Sequence, residues 1–437
     1  MRLVRFVFQW IVRQVWLLQH GDRTAPEQHG VVPRLLVDIS VIFRHDSHTG
    51  IQRVVRAVWS ELAGLDGRGF KLVPVYATSE TGYSYAPDNF LVSPRPNWQG
   101  DPVVARASDK FLALDLSAQF LPKYRAQLKL WRAHGVTVHV MVYDLLPLMR
   151  PEWFNPTTTR NFRKWFNLLA READQAICIS AQVARDLRAR LSAESAGEQL
   201  TISSIPLGGD IRNSQPTTGI SLALMSLLDR LKSRPAILMV GTVEPRKGYE
   251  VAIAAFEHLW ATRGGDAPDL VIVGKKGWKT EDLQARIRGH SEHGRRLHWL
   301  EDVTDEGLCC LFDATNGLLM TSFGEGFGLP VIEAVAHGRQ ALARDLPVFR
   351  EQRLPGVTLF DDDSPASLGE GVMNLLGSNS LASEAQIDLP SWSDCAISLL
   401  DKLGLGNEGR SKTPTAAGVQ DQATSRGSHG VSGAALK

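Results

Sequence analysis

A repeated alternation of short β-branched strands and amphipathic helices constrains the fold of this chain more than any other feature of its sequence. One series opens with a predicted strand at 35–43 and a helix that starts at Ile51, and a second series opens with a strand at 236–240. Strands that alternate with helices in this way build mainly parallel sheets. Around 211–221 the chain turns polar and the periodicity resets, which predicts a boundary between two α/β domains.

Length, charge and cysteine content narrow the class of protein further. The chain has 437 residues, more than one hydrophobic core usually serves. Its 48 Lys and Arg residues and 47 Asp and Glu residues leave a net charge of +1, so no broad basic field argues for nucleic acid as a partner. The four cysteines include no Cys-x-x-Cys pair, which argues against a disulfide framework or a zinc site and fits a cytoplasmic location.

The N-terminal segment predicts an amphipathic helix. Residues 3–18 are rich in Phe, Trp, Val, Ile and Leu, but Arg5, Gln9 and Arg13 interrupt them. These interruptions exclude a transmembrane helix and a signal peptide. A cationic stripe beside a broad apolar face favours contact of residues 1–20 with a membrane surface. Packing of the helix on the domain or on a second protomer explains the pattern equally well.

A glycine-rich segment at 322–334, Ser-Phe-Gly-Glu-Gly-Phe-Gly-Leu-Pro-Val-Ile-Glu-Ala, predicts a ligand loop followed by a helix from about Pro330. Its glycines allow a tight turn and a close approach of the backbone to a ligand, and the helix N-terminus favours an anion. Glu325 lies in the loop and Glu333 in the helix, so both carboxylates can face one cleft. The alternative is that Glu325 is a solvated loop charge and that Glu333 pairs locally.

A second segment, Val-Gly-Thr-Val-Glu-Pro-Arg-Lys-Gly at 240–248, follows a predicted strand directly. Ligands bind at the carboxyl ends of parallel strands. Arg246 and Lys247 at such an end could neutralise a diphosphate without a metal ion, Arg as a planar fork and Lys as a point charge. A solvated pair of cations is the alternative interpretation.

Taken together, these segments resemble the retaining GT-B glycosyltransferases of family four (glycosyltransferase group 1), typified by bacterial mannosyltransferases. The segments that match the family, in its order, are 241–248, 270–274, 301–308, 325–333 and 345–351. The resemblance implies an α/β GT-B fold, in which two Rossmann-like parallel-sheet domains face each other across a cleft.

The resemblance also implies a role for each matching residue. Arg246 and Lys247 would hold the donor diphosphate, Glu333 the ribose hydroxyls, and Glu325 the hydroxyls of the transferred sugar. The other donor-binding positions that it implies are Gly50, Gly241, Thr242, Gly326, Phe327, Gly328 and Leu329. No metal ion and no cofactor beyond the nucleotide sugar would be needed. The acidic run at 361–363 is interpreted as a solvated loop rather than a metal site.

On the acceptor side, the segment at 143–147, Tyr-Asp-Leu-Leu-Pro, resembles the family motif His-Asp-Leu. Tyr143 stands where the family usually has His, which removes an imidazole from that position. Asp144 would orient an acceptor hydroxyl, and a structural hydrogen bond at the end of a strand is the alternative.

The predicted organisation has five parts. They are an amphipathic helix and linker at 1–31, an acceptor domain at 32–213, a donor domain at 214–389, a crossover helix at 390–404 and a disordered tail at 405–437. The tail is predicted because its Gly/Ser/Thr/Ala-rich composition offers too little apolar surface to offset the entropy of ordering.

The expected function is transfer of a hexose, best matched by mannose from GDP-mannose, to a hydroxyl of a glycan or lipid-linked oligosaccharide in surface polysaccharide biosynthesis. A lipid-linked acceptor would place the enzyme at the inner face of the cytoplasmic membrane. The alternative is a catalytically silent subunit that binds nucleotide sugar within a glycosyltransferase assembly. Nucleotide-sugar epimerases and glycogen-type phosphorylases share the fold, but the chain is short for a phosphorylase and shows no evident pyridoxal-lysine context.

Overall fold

The computed structural model describes residues 32–78, 82–92, 98–214, 217–377 and 388–406. The predicted N-terminal helix and linker at 1–31 lie outside the described residues, as does the predicted tail from residue 407 onward. Leu405, which the sequence analysis assigned to the tail, is 7% exposed and packs in a hydrophobic core.

Two sheets organise the described residues. The first contains β1 (Arg34–Asp38), β2 (Lys71–Thr78), β3 (Gly82–Tyr85), β4 (Lys110–Ala113), β5 (Thr137–Val142), β6 (Gln175–Cys178) and β7 (Thr201–Ser204). Its order is β3-β2-β1-β4-β5-β6-β7, and every neighbouring pair is parallel except β2 and β3.

The second sheet contains β8 (Ala236–Val240), β9 (Asp269–Val273), β10 (Leu297–Leu300), β11 (Gly317–Met320), β12 (Gln340–Arg344) and β13 (Val357–Phe360). Its order is β10-β9-β8-β11-β12-β13, with every neighbouring pair parallel. The prediction of two Rossmann-like parallel-sheet domains is confirmed.

The helices connect the strands. Those of the first domain are α1 (Ser40–Arg44), α2 (Gly50–Gly64), α3 (Arg125–Ala133), α4 (Leu146–Met149), α5 (Pro156–Glu172) and α6 (Ala181–Ala193). Those that follow are α7 (Leu222–Leu231), α8 (Tyr249–Arg263), α9 (Glu281–Gly289), α10 (Asp305–Ala314), α11 (Leu329–Ala336), α12 (Pro347–Gln352), α13 (Pro365–Gly377) and α14 (Trp392–Lys402). Among the described residues, no helix is both long enough and apolar enough to cross a membrane.

The predicted strand at 35–43 is wrong beyond Asp38, because α1 begins at Ser40. The fully buried Asp38 carboxylate accepts hydrogen bonds from the backbone N–H of Ser40 at 2.9 Å, from the Tyr83 hydroxyl at 2.9 Å and from the Ser117 hydroxyl at 2.9 Å. A side-chain oxygen that bonds the backbone two residues on turns the chain locally. β-branched residues after Asp38 therefore form a short helix rather than an extension of β1.

α14 returns to the first domain and packs against α2. Trp392 at its start is 2% exposed, and its indole N–H donates to the carbonyl of Asp210 at 2.9 Å. The ring lies so close to Gly208 that a Cβ there would come within 2.7 Å of it. The indole therefore holds α14 against the first domain through both packing and a hydrogen bond.

Replacing Trp392 with alanine is expected to lower the free energy of unfolding by about 3–5 kcal/mol, since it leaves a cavity under α14. Trp392→Phe keeps most of the packing but loses the hydrogen bond, at about 1 kcal/mol. The measurement is the urea midpoint, with the 84% exposed Leu222 changed to alanine as the control. An unchanged midpoint for Trp392→Ala would show that α14 does not contribute to the stability of the first domain.

Candidate active site

The second sheet reverses its strand order between β8 and β11, and this is the point at which open parallel sheets bind ligands. The loop after β8 contains a 3-10 turn, Pro245–Lys247. The loop after β11 is the glycine-rich segment, which leads into α11. Both predicted motifs therefore lie at the carboxyl ends of adjacent strands, because the fold brings segments about 80 residues apart into one crevice.

Arg246, Lys247 and Glu325 form one hydrogen-bonded cluster in that crevice. Arg246 Nη1 donates to Glu325 Oε2 at 2.9 Å, and Lys247 Nζ donates to Glu325 Oε1 at 2.7 Å. Arg246 Nε also pairs with Glu244 at 2.6 Å. The side chains of Arg246, Lys247 and Glu325 are 19%, 10% and 7% exposed. The cluster thus presents two cations whose positions are fixed by carboxylates.

Burial and charge set the protonation of this cluster. Burial alone would raise the pKa of Glu325, but Arg246 and Lys247 hold it at about 2. Burial lowers the pKa of Lys247, and Glu325 opposes that change. Glu325 therefore remains an ionised acceptor at neutral pH. It can accept a hydrogen bond from a sugar hydroxyl, but it is not poised to donate a proton.

Asp144 faces this cluster from the first domain, just after β5. Its Oδ1 accepts from the backbone N–H of Leu146 at 3.0 Å, the structural hydrogen bond that was the alternative interpretation of this residue. Burial raises the pKa of Asp144, while the nearby charge of Arg246 lowers it. The same carboxylate thus supports the turn into α4 and lies within electrostatic range of the donor-domain cations.

Gly326 lies directly against backbone of the first domain. Its carbonyl accepts from the Ser180 hydroxyl at 2.8 Å, and a Cβ on Gly326 would lie 2.0 Å from the carbonyl oxygen of Tyr143. Absence of a side chain at this position lets the glycine-rich loop insert between two first-domain segments. The glycine is therefore required by contact across the cleft rather than by a ligand alone.

The remaining predicted donor-binding residues surround the same crevice. Gly241 follows β8 with φ of 146°, and Thr242 after it is half-buried. Gly328 precedes α11 with φ of 83°, a backbone region that favours glycine. The other positions are Gly50, which starts α2 and lies near Leu329, and Phe327, whose carbonyl accepts from Gln352 at 2.7 Å.

Glu333 is 1% exposed, and its partner comes from the opposite domain. Arg53, on α2, donates to Glu333 Oε1 and, at 2.6 Å, to Asp305 Oδ1. The two glutamates of the glycine-rich segment therefore have separate environments. Glu325 is held by cations of its own domain, and Glu333 is held by a cation from across the cleft.

No role was predicted for Arg53, Asp305 or Glu244 from the sequence. Asp305 and Glu244 lie within segments that resemble the family, and a charged residue inside such a segment was the signal available for both. Their pairing was not foreseeable from spacing, since Arg53 and Asp305 are 252 positions apart.

Comparison with known proteins matches the second domain to the family that its sequence motifs resemble. Residues 228–387 match the family described as glycosyl transferases group 1. This chain carries a glycosyl transferases group 1 domain. It is also 37% identical over 390 residues to the serotype-specific mannosyltransferase WbdA of Escherichia coli, covering 87% of this chain and 47% of that protein. The chain thus spans about half the length of the curated relatives it matches first.

Solved structures agree with the fold. The Anabaena protein Alr3699/HepE, crystallised with UDP and glucose, superposes with a TM-score of 0.56 at 15% identity, covering 86% of this chain and 100% of that one. Sucrose-phosphate synthase of Thermosynechococcus elongatus gives a TM-score of 0.57 at 16% identity, covering 85% and 98%. The predicted GT-B fold is confirmed.

Proposed function

We propose that this chain is a retaining glycosyltransferase that moves mannose from GDP-mannose to a hydroxyl of a glycan or lipid-linked oligosaccharide in surface polysaccharide biosynthesis. The observation that carries the proposal is the cluster of Arg246, Lys247 and Glu325 at the switch point of the second sheet, opposite Asp144. Its two cations suit a diphosphate, and its ionised carboxylate suits sugar hydroxyls.

In the proposed reaction, the bond between the sugar's anomeric carbon and the diphosphate oxygen breaks, and its electron pair leaves with the nucleoside diphosphate. The acceptor hydroxyl forms its new bond on the same face of the sugar, and its proton leaves with the departing phosphate. Arg246 and Lys247 would stabilise the charge that grows on the diphosphate, which is where preorganised cations act most strongly. Because these two cations would neutralise that negative charge, the reaction is proposed to need no metal ion.

The choice of mannose follows the relatives rather than any residue that reads the nucleotide base. The Escherichia coli relative is named a mannosyltransferase, whereas the Anabaena structure of similar fold holds UDP and glucose. GDP-mannose is therefore the first donor to test and UDP-glucose its main competitor. The lipid-linked acceptor and a cytoplasmic site at the inner membrane face belong to the same proposal.

The test is a donor panel on the purified full chain: GDP-mannose, UDP-glucose, dTDP-glucose and ADP-glucose, each with a mannose-containing acceptor. Release of nucleoside diphosphate is scored with and without EDTA. We expect release from GDP-mannose alone, unchanged by EDTA. Release from another donor would show that the donor is a different nucleotide sugar. Loss of release in EDTA would contradict a metal-independent reaction. If no donor reacts and neither GDP nor UDP binds, the proposal fails, and a silent subunit becomes the better interpretation.

A further inference from the structure

Among the described residues, Arg53 is the one charged side chain of α2 that pairs only with the opposite domain. Its two partners are Glu333 and Asp305. Its side chain is 14% exposed, and the two carboxylates that it reaches, on Glu333 and Asp305, are 2% and 9% exposed. An ion pair so well buried is costly to form unless its geometry serves a purpose. The two branches of the guanidinium hold two carboxylates at a set separation.

Asp305 serves as a fixed anchor for this arrangement. Its Oδ2 accepts from the backbone N–H of Thr217 at 2.9 Å and from the Thr217 hydroxyl at 2.9 Å, while its Oδ1 accepts from Arg53. A guanidinium is planar and its donors keep a rigid fork. With one branch fixed on Asp305, the other branch determines the orientation of Glu333.

One carboxylate oxygen of Glu333 lacks a hydrogen-bond partner among the described residues. Within the described part of the chain, Oε1 accepts from Arg53, and Oε2 is buried without a hydrogen-bond partner. A buried carboxylate oxygen that lacks a donor is costly and is expected to be satisfied by a ligand or by water. Burial raises the pKa of Glu333 and Arg53 counters that rise, so Arg53 also favours the ionised form that can accept from a hydroxyl.

We propose that Arg53 is a positioning residue that reaches across the cleft and aims Glu333 Oε2 at the ribose hydroxyls of the nucleotide. The inference rests on the proposed function, since it requires a nucleoside diphosphate in this site. It adds that ribose recognition depends on the first domain. Glu333 belongs to the donor domain, yet its orientation is set by a side chain that reaches it only when the two domains meet.

The test compares ribose recognition in wild type and variants by calorimetry, using GDP, UDP and their 2′,3′-dideoxy forms as probes. For wild type, we expect the ribose form of the bound nucleotide to bind at least about tenfold more tightly than its dideoxy form. In Arg53→Met and in Glu333→Gln this ratio is expected to fall toward one, with little change for the dideoxy form. Arg53→Lys, which keeps the charge but loses the fork, is expected to restore part of the ratio.

The matched control is Arg185→Met. Arg185 also pairs across the domains, with Glu351 at 2.8 Å, but it does not touch Glu333. This variant is expected to keep the wild-type ratio. A purely structural role for Arg53 predicts instead that Arg53→Met weakens the ribose and dideoxy forms equally, and that outcome would overturn the inference, as would a wild-type ratio of one. Failure of GDP and UDP to bind wild type at all would remove the proposed function as well, so the two failures are distinct.

Discussion

Replacing Arg246 with alanine is expected to lower the turnover number by about two to three orders of magnitude, with a much smaller change in the Kd for GDP. The guanidinium is fixed before any donor arrives, because it bonds Glu325 at 2.9 Å, Glu244 at 2.6 Å and the carbonyl of Gly324 at 3.0 Å. A cation held in place needs no reorganisation when charge develops on the leaving diphosphate, so its loss is felt mainly in the transition state.

The measurement is kcat and KM from the steady-state release of GDP, beside calorimetric binding of GDP. Arg246→Lys keeps one positive charge but loses the planar fork that bonds Glu244 and Glu325, so an intermediate turnover is expected. The control is Arg286→Ala on α9, whose ion pair with Glu257 at 2.7 Å is exposed and belongs to the same domain. Wild-type turnover in both Arg246→Ala and Lys247→Ala, with donor still bound, would remove the roles given to this pair.

The fold could be predicted from the sequence because parallel sheets leave a strong local pattern. The apolar run at β8 and the helix at α2 stand where periodicity placed them. The end of β1 was misplaced, because Asp38 turns the chain by accepting from the backbone N–H of Ser40, and its carboxylate is also bonded by Ser117, a residue 79 positions away. Hydrophobic periodicity reports which residues can be buried, but it carries no information about hydrogen bonds made by a buried carboxylate.

The segments of the site could be predicted from the sequence, but the contact between the two domains could not. The cluster of Arg246, Lys247 and Glu325 forms between two segments that had each been recognised, since the switch point of the sheet brings them together. The bond from Arg53 to Glu333 joins residues 280 positions apart on different domains. Each segment could be recognised alone, whereas the pairing depends on how the two sheets face each other.

The contact at Gly326 leads to the second large prediction, that Gly326→Ala separates the two domains and abolishes most of the activity. A Cβ at this position would lie 2.0 Å from the Tyr143 carbonyl oxygen and 3.2 Å from Asp144 Cβ. The first of these atoms belongs to backbone, so no change of rotamer can relieve the clash. φ at Gly326 is not in the left-handed region, so alanine leaves the donor domain itself unstrained. Backbone on one side of this contact must therefore shift, and we expect the two domains to move apart.

We expect turnover to fall at least about a hundredfold, because a displacement of about 1 Å between reacting groups is enough for such a loss. The radius of gyration from small-angle X-ray scattering should rise, while the far-UV circular dichroism spectrum stays unchanged.

Gly324→Ala is the graded comparison. Its Cβ would meet the side chains of Leu146 and Trp153 at 2.9 and 3.0 Å, and side chains can rotate away, so a smaller loss is expected. Gly289→Ala, with no atom within 4 Å, should behave as wild type. A Gly326→Ala variant with full turnover and an unchanged radius of gyration would show that the backbone accommodates a Cβ at this position without separating the domains, and the prediction would be wrong.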